Sequence, residues 1–376
     1  MRRKGRSVSI ATFLTVFILL LSACGSSSSP GGTTTGSGGN TPTAGPITVG
    51  LVTDIGGLND GGFNQFSHNG YEKAKQQYHF PEVVIQSTVV SDAQYTQNLT
   101  SAANQADMVI GIGFNMETAI TKVAQQFPNK RFAIIDGCAV DANFNCINLP
   151  NVAPLFFEEQ QAGCLVGAIA GQMEVDGKSK APKLLGQNTI SAVGGQAIPP
   201  VQRYIAGYKY CAKKVDPSVN VVIGYSNNFT DPTKCSAIAD KQVSINHADI
   251  LFQVAGGCGI GVLDSANQHN VYSIGVDSDQ SKDSTGATRP SVITSAVKRV
   301  DTAVYDIINM AESQGTASTG AYSNFVKTPF KFNLSNDGVG FATPSSDVPQ
   351  DAVQKATDFE NQMKAGTLTP PENIPS

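Results

Sequence analysis

"ITVGLVTDIGGLNDGGFNQFSHNGYEKAKQQYHF" (residues 47–80) combines a short apolar run, a glycine-rich loop and an amphipathic stretch of helical length. An apolar run that is followed by a helix predicts a buried parallel strand and its crossover connection. Four glycines occupy the loop, at positions 56, 57, 61 and 62. They either shape turns or let the backbone approach a ligand or a facing lobe closely.

The same alternation of strand and helix continues along the chain. Later apolar runs include EVVIQSTVV, DMVIGIG, RFAIIDG, NVVIGYS, DILFQVAGG and VYSIGVD, with helical stretches between them. Since 376 residues exceed what one core usually organises, we expect two doubly wound α/β lobes, residues 47–157 and 158–276. We expect residues 277–305 to complete the first lobe, residues 306–345 to complete the second, and residues 346–376 to form a tail.

The composition, with 40% hydrophobic and 15% charged residues, indicates a globular protein. The formal net charge is −4, and removal of the first 23 residues, which carry four basic and no acidic side chains, leaves −8. Because neutralising phosphates requires clustered Lys and Arg, this acidic body argues against nucleic acid as a partner and against a polyanionic ligand.

The N-terminus has the features of an export signal. Residues 1–23 contain the basic MRRKGR and the apolar VSIATFLTVFILL. The apolar segment is shorter than a typical transmembrane helix. The signal leads into LSAC, which resembles a bacterial lipobox, so we expect Cys24 to be lipidated and to anchor the protein to the membrane. An ordinary secretory signal with a stray cysteine is the alternative. Both place the protein outside the cytoplasm.

A tract rich in Gly, Ser, Thr and Pro, residues 24–46, follows the expected cleavage site. It has no charge and too few apolar residues to form a core, so we expect a flexible tether that spans roughly 25 Å.

Six cysteines remain after Cys24, and an exported protein can pair them as disulfides in any of about 15 ways. They are Cys138, Cys146, Cys164, Cys211, Cys235 and Cys258. Cys138 and Cys146 lie close together in the loop-like DGCAVDANFNC, and we favour that pair. Metal binding is disfavoured because no two cysteines have zinc-knuckle spacing and the four histidines lie far apart.

Catalytic motifs are absent from the sequence. It has no G-x-S-x-G elbow, no H-E-x-x-H and no G-x-x-x-x-G-K-[ST] loop. GGCGIG, residues 256–261, follows an apolar run, but its glycines do not have the spacing of a dinucleotide fingerprint. These absences favour a binding protein without a cofactor over an enzyme.

Polar residues stand at the ends of the predicted strands. In open parallel sheets, ligands bind beyond the carboxyl ends of the strands. Asp54, Asp136 and Asp277 occupy such positions and offer acceptors for ribose hydroxyl or ring N–H groups. Lys298, in TSAVKRVD, is a candidate counter-ion for these carboxylates; the alternative is a solvated helix lysine.

Two phenylalanines also follow predicted strands, one in each lobe. Phe63, with Asn64 next to it, follows the glycine-rich loop, and Phe229 follows GYSNN. Exposed rings at these positions could stack on both faces of a planar heterocycle or on the apolar face of a sugar. Alternatively, each ring caps the core of its own lobe.

Together these segments resemble the basic membrane protein family of substrate-binding lipoproteins, of the purine nucleoside receptor A type. The resemblance runs in order from about residue 47 to about residue 341 through VGLVTDIGGLNDGGFNQ, GYEKAK, FAIIDG, FEEQQAGCLVGAIAG, FTDPTKC, QVAGGCGIGVL, IGVDSDQ and TSAVKRVD. It implies a type I periplasmic-binding-protein fold, with two Rossmann-like lobes and parallel sheets joined by a three-segment hinge. It also implies an extracytoplasmic solute receptor that delivers its ligand to an ABC permease and its ATPase. We expect the protein to be a monomer.

The resemblance further implies the ligand and its contacts. In this family a nucleoside lies between two Phe rings, while Asp, Asn and Lys side chains hold the base and ribose. By motif, these roles fall on Asp54, Phe63, Asn64, Asp136, Phe229, Gly256, Asp277 and Lys298.

Some positions depart from the family pattern or stay open. NDGG, residues 59–62, replaces the usual Asp-Asp-Lys-Ser, and Asn115 stands where relatives often carry an apolar residue. The family fold would place Cys235 and Cys258 at one edge, so we expect them to form a second disulfide. Cys164 and Cys211 could pair or could stay reduced and buried. A sugar or signal receptor that is coupled to a sensor remains an alternative function.

Overall fold

The computed structural model describes residues 46–314 and 330–375. The expected signal segment, the tether as far as residue 45 and the proposed lipidation site Cys24 lie outside the described residues. In the part of the chain that is described, no helix is both long enough and apolar enough to span a membrane.

Five parallel strands form most of the sheet in the first lobe. They are β1 Val49–Thr53, β2 Glu82–Gln86, β3 Met108–Ile112, β4 Arg131–Ile135 and β5 Val152–Phe157. Their spatial order is β5-β4-β3-β1-β2. Every residue of β1 and β3 is buried, as expected for apolar strands with helices on both sides of the sheet. The connecting helices are α1 Phe63–Tyr78, α2 Asp92–Gln105 and α3 Glu117–Gln126.

The second lobe repeats this plan. Its strands are β6 Thr189–Gly194, β7 Asn220–Tyr225, β8 Ile250–Val254, β9 Tyr272–Asp277 and β10 Val292–Lys298. They pair in parallel in the order β10-β9-β8-β6-β7. The helices are α4 Glu159–Asp176, α5 Pro199–Val215, α6 Pro232–Ser244 and α7 Ile260–Gln268.

The last elements alternate between the lobes. Helix α8, Val300–Gln314, packs on α1 of the first lobe, and β11, Phe330–Phe332, adds a parallel strand beside β5. Strand β12, Val339–Phe341, pairs antiparallel with β10 in the second lobe, and α9, Gln350–Lys364, packs against α4. Within the described residues, the chain therefore passes between the lobes after β5, after β10 and after β11.

This pairing corrects the expected assignment of the C-terminal segments. The region 277–305 was expected to complete the first lobe, but β10 lies in the second sheet. The region 306–345 was expected to complete the second lobe, yet β11 lies in the first. The physical reason is that strand partners depend on which sheet edge is free: β10 covers the edge of β9 and β11 covers the edge of β5.

Helices α4 and α5 approach each other closely because glycines face the backbone of α5. A Cβ atom at Gly163 would lie 2.1 Å from the Tyr204 carbonyl oxygen, and one at Gly167 would lie 2.3 Å from that of Tyr208. Residues four apart share a face of a helix, so this glycine row forms a groove into which α5 packs.

Three disulfides link the six cysteines, and the pairs are Cys138–Cys146, Cys164–Cys211 and Cys235–Cys258. The first and third are the pairs that were favoured from the sequence. The second, which the sequence left open, joins α4 to α5 beside the glycine row.

Candidate ligand-binding cleft

A cavity of about 640 Å³, including solvent at its mouth, lies between the carboxyl ends of the strands of both sheets. All eight residues that the sequence analysis proposed as ligand contacts line this cavity. Asp60, Phe114 and Tyr204 also line it and were not proposed from the sequence.

Asp60 organises the glycine-rich loop at the start of α1. Its Oδ1 accepts hydrogen bonds from the backbone N–H groups of Gly62 (2.9 Å) and Gln65 (3.1 Å). Its Oδ2 accepts from the backbone N–H (2.9 Å) and the side-chain Nδ2 (3.0 Å) of Asn64. A carboxylate at a helix N-terminus satisfies unpaired amides and complements the helix dipole. The position of an Asp shortly before a predicted helix could therefore have identified Asp60 as the residue that caps α1.

Asn64 in turn links the loop to the end of β1. Its Oδ1 accepts from the Asp54 backbone N–H (3.1 Å), and its Nδ2 also lies 3.2 Å from the Ile55 carbonyl oxygen. Because Asn64 is almost fully buried and its amide groups have several protein partners, it fixes the shape of the loop.

The Asp54 carboxylate is buried and accepts three hydrogen bonds. The donors are the Tyr95 hydroxyl, the Ile55 backbone N–H (2.7 Å) and Asn115 Nδ2 (3.3 Å). Burial raises the pKa of Asp54, and these hydrogen bonds oppose the rise. The structure thus gives Asn115, which departs from the family pattern, a contact on this side of the cleft. Gly113, with φ +116°, leaves room for the carboxylate, since a Cβ there would lie 2.9 Å from Asp54 Oδ2.

The two predicted aromatic rings enter the cavity from opposite lobes. Phe63 is the first residue of α1 and is partly buried. Phe229 lies between β7 and α6, and its ring packs on Gly195, where a Cβ would lie 2.2 Å from Phe229 Cε1. Gly256 also touches this ring, because its Cβ position lies 3.8 Å from Phe229 Cδ1. Glycine at position 195 therefore makes space for the ring, and Gly256 is in ordinary van der Waals contact with it.

Lys298 ends β10 and is only 1% exposed. Its Nζ donates to Asp136 Oδ2 (2.6 Å) and to Glu159 Oε1 (2.8 Å), and it lies 5.2 Å from the centroid of the Phe63 ring. Burial alone would lower the pKa of Lys298, but the carboxylates of Asp136, Glu159 and Asp277 raise it. The lysine is thus a buried cation held by acids rather than a solvated helix lysine.

Asp136 and Asp277 follow β4 and end β9, respectively, and both have left-handed backbones, with φ 68° and 63°. Such values are uncommon for residues other than glycine and are often found at functional sites. Tyr204 OH donates to Asp277 Oδ1 (3.1 Å). Burial raises the pKa of Asp277 to about 7, an effect that Lys298 opposes and Asp136 reinforces. No sequence pattern in α5 distinguishes Tyr204 from Tyr208, the other buried tyrosine of this helix.

The polar groups of the cavity are predominantly acidic. Four aspartates, Asp54, Asp60, Asp136 and Asp277, line it together with one lysine. Such a lining favours ligands that carry several hydrogen-bond donors and disfavours anions. Within residues 46–314 and 330–375, no group of three or more His, Cys, Asp or Glu residues is arranged to hold a metal ion.

The sequence matches a known protein family over most of its length. Residues 47–373 match the family described as ABC transporter substrate-binding protein PnrA-like. A curated relative from Lactococcus lactis subsp. cremoris, named ABC transporter nucleoside-binding protein BmpA, is 29% identical, with 94% of this chain and 96% of the relative covered. An uncharacterized lipoprotein of Pyrococcus abyssi is 27% identical, with 100% of this chain and 84% of the relative covered.

The fold is likewise found among solved structures. A solute-binding protein of an ABC transporter system from Aeropyrum pernix K1 superposes with a TM-score of 0.68 at 23% identity, with 87% of this chain and 94% of that chain covered. The two mostly parallel sheets and this likeness confirm the predicted type I periplasmic-binding-protein fold.

Proposed function

Because the chain belongs to the PnrA-like family of ABC transporter substrate-binding proteins, we propose that its cleft binds a purine nucleoside for delivery to a permease. Members of this family are solute-binding proteins, not enzymes, and they work with a transporter permease and its ATPase. The observation that carries the proposal is the pair of phenylalanines, Phe63 and Phe229, which line one cavity from opposite lobes.

Stacking accounts for recognition of the base. A flat heterocycle between two rings buries both of its faces, and each aromatic contact contributes about 0.5–1.5 kcal/mol beyond the area buried. The nucleoside-binding name of the Lactococcus lactis relative supports the same ligand class.

The acidic lining accounts for recognition of the ribose and the polar edge of the base. Asp54, Asp136 and Asp277 present carboxylate oxygens, which accept hydrogen bonds from hydroxyl and N–H groups. A phosphate would meet these same carboxylates, with Lys298 as the only cation among the lining residues that the structure describes. The cleft therefore suits a nucleoside better than a nucleotide.

Lobe closure provides the binding mechanism. A ligand that touches both lobes makes all of its contacts only when they are closed, so its differential affinity shifts the population toward the closed form. The closed, liganded form is the form that the permease receives. We propose that the protein acts as a monomer and that a lipid on Cys24 holds it at the outer face of the membrane. The lipoprotein name of the Pyrococcus abyssi relative supports the anchor.

Calorimetry and a thermal-shift screen test the ligand. We expect adenosine, inosine or guanosine to bind at a 1:1 ratio and to raise the melting temperature, whereas the matching monophosphates and a panel of pentoses leave it unchanged. Binding of a pentose without any nucleoside would instead favour a sugar receptor. Incubation with nucleosides, followed by chromatography, should show no turnover.

A further inference from the structure

The two lobes touch directly at one backbone carbonyl outside the ligand cavity. Ser278 Oγ and Gln280 Nε2 of the second lobe both donate to the Gly61 carbonyl oxygen of the first lobe, each at 3.1 Å. None of these three residues lines the ligand cavity; Gly61 and Ser278 line an outer crevice next to it. The contact is thus separate from the groups that would touch a ligand.

Gln280 is held in place before it reaches across the cleft. Its Oε1 accepts from the Val276 backbone N–H (3.0 Å) and from Gln253 Nε2 (2.6 Å), and its backbone N–H donates to Ser295 Oγ (3.1 Å). All of these partners belong to the second lobe. Since two donors fix the amide oxygen, the amide cannot flip, and Nε2 points at Gly61. The donor is therefore preorganised, which lowers the entropy cost of making the contact.

The acceptor is equally well defined. The Gly61 backbone N–H donates to Gln65 Oε1 (3.1 Å), and Asp60 fixes the neighbouring turn. Gly61 has φ +68°, a conformation that other residues rarely adopt, and a Cβ there would lie 3.7 Å from Ile260 Cδ1 of α7. The rigid loop thus presents its carbonyl to the second lobe at close range.

We propose that Ser278 and Gln280 form a closure latch that sets ligand affinity without touching the ligand. Their hydrogen bonds to Gly61 exist only when the lobes are closed. They stabilise the closed form and so increase the fraction of molecules that is closed. The apparent Kd falls by the same factor as this fraction rises. The inference rests on the proposed function in one respect, since the latch acts through closure around the ligand. Loss of either bond is expected to weaken binding about two- to tenfold.

Ser278→Ala tests the latch most cleanly because it removes only a hydroxyl group. We expect adenosine to dissociate about two- to tenfold faster, as measured by stopped-flow displacement, with an unchanged melting temperature for the ligand-free protein. Ser284→Ala, at an exposed position of the same loop, is the matched control and should behave as wild type. Gln280→Met keeps the side-chain volume but removes both the second donor and the Oε1 acceptor of Val276 and Gln253, so its result is compared with that of Ser278→Ala. Wild-type dissociation rates in both Ser278→Ala and Gln280→Met would overturn the latch.

Small-angle X-ray scattering separates failure of the latch from failure of the nucleoside proposal. In the ligand-free state, the Ser278→Ala/Gln280→Met variant should have a larger radius of gyration than wild type, because fewer molecules are closed. This readout needs no ligand. A larger radius in a protein that binds no nucleoside would support the latch while refuting the proposed cargo. An unchanged radius would refute the latch whichever ligand binds.

Discussion

Lys298 and Glu159 form a buried ion pair, with 2.8 Å between Nζ and Oε1, that joins two of the passages between the lobes. Glu159 is the first residue of α4, directly after the passage from β5, and Lys298 ends β10, directly before the passage to α8. Arg203 extends the cluster, since its Nη1 lies 3.7 Å from Glu159 Oε2 and its Nε lies 3.1 Å from Glu372 Oε2. Among the described residues, Lys298 is the one cation that lines the ligand cavity, and this ion pair links it to the hinge and, through Arg203, to the C-terminal tail.

Lys298→Met should destabilise the protein by about 3–5 kcal/mol at neutral pH, because it leaves buried carboxylates without their counter-charge. Burial already raises the pKa of Glu159, and Lys298 opposes that rise, so its loss raises this pKa further. A raised folded-state pKa favours the native protein at low pH and costs stability as pH increases. Urea unfolding should therefore show a smaller defect at pH 5 than at pH 8.

Lys241→Met is the control for this substitution, since Lys241 is exposed on α6. It should change the free energy of unfolding little at either pH. An equal loss of stability in the two variants, or a Lys298→Met defect that is independent of pH, would show that the buried cation does not stabilise this cluster.

Phe229→Ala should weaken nucleoside binding on the order of tenfold or more, because the base loses one of its two stacking partners. The fold should persist, since the ring is only partly buried and packs at the margin of the hydrophobic core, against Gly195 and Gly256. Calorimetry with adenosine measures the change in affinity. Phe144→Ala, which removes a ring that is 73% exposed, provides the comparison and should bind as wild type does. Unchanged affinity in Phe229→Ala would remove this ring from the site.

Asp277 should make ligand binding depend on pH. Its pKa is raised to about 7, so the carboxylate gains a proton as pH falls through neutrality. If the ionised form accepts hydrogen bonds from the ligand, Kd for adenosine should rise about tenfold between pH 8 and pH 6. Adenosine itself does not titrate in that window. Asp277→Asn should bind more weakly at pH 8 and lose most of this dependence; a variant that retains the full wild-type profile would assign the titration to another group.

The sequence predicts which residues line the cavity better than it predicts the pairing of the last strands. Asp54, Asp136 and Asp277 could be placed because parallel strands align their carboxyl ends, so that a polar residue at a strand end points to one edge. Two residues that line the cavity were not predicted. Asp60 acts through the backbone amides of a loop, and Tyr204 is one of several tyrosines in an amphipathic helix.

Long-range choices account for the remaining errors and open questions. The sheet that β10 or β11 joins depends on which sheet edges are uncovered. No local sequence pattern encodes this choice. The pairing of Cys164 with Cys211 depends on how closely α4 approaches α5, and that approach is set by glycines whose partners lie 40 or so residues away in the chain.

Glu174 should make the second lobe less stable as pH rises above the acidic range. Burial, together with the adjacent Asp249, raises the pKa of Glu174 to about 9. Glu174 Oε1 and Asp249 Oδ1 are both buried without a hydrogen-bond partner, so a proton shared between the two carboxyl groups would satisfy both. The folded protein binds this proton more tightly than the unfolded chain does. The contribution of Glu174 to stability is therefore fully present below its ordinary pKa of 4.5 and declines as pH rises toward 9.

Glu174→Gln removes the titrating group and keeps the side-chain shape and a hydrogen-bond donor for Asp249. Urea unfolding between pH 5 and pH 9 should show a flatter profile than wild type and greater stability at pH 9. Glu360→Gln, on the surface-lying helix α9, serves as the control and should leave the wild-type slope intact. A Glu174→Gln profile with the wild-type slope would mean that Glu174 is already ionised in the native protein and that its burial is compensated by groups other than a shared proton.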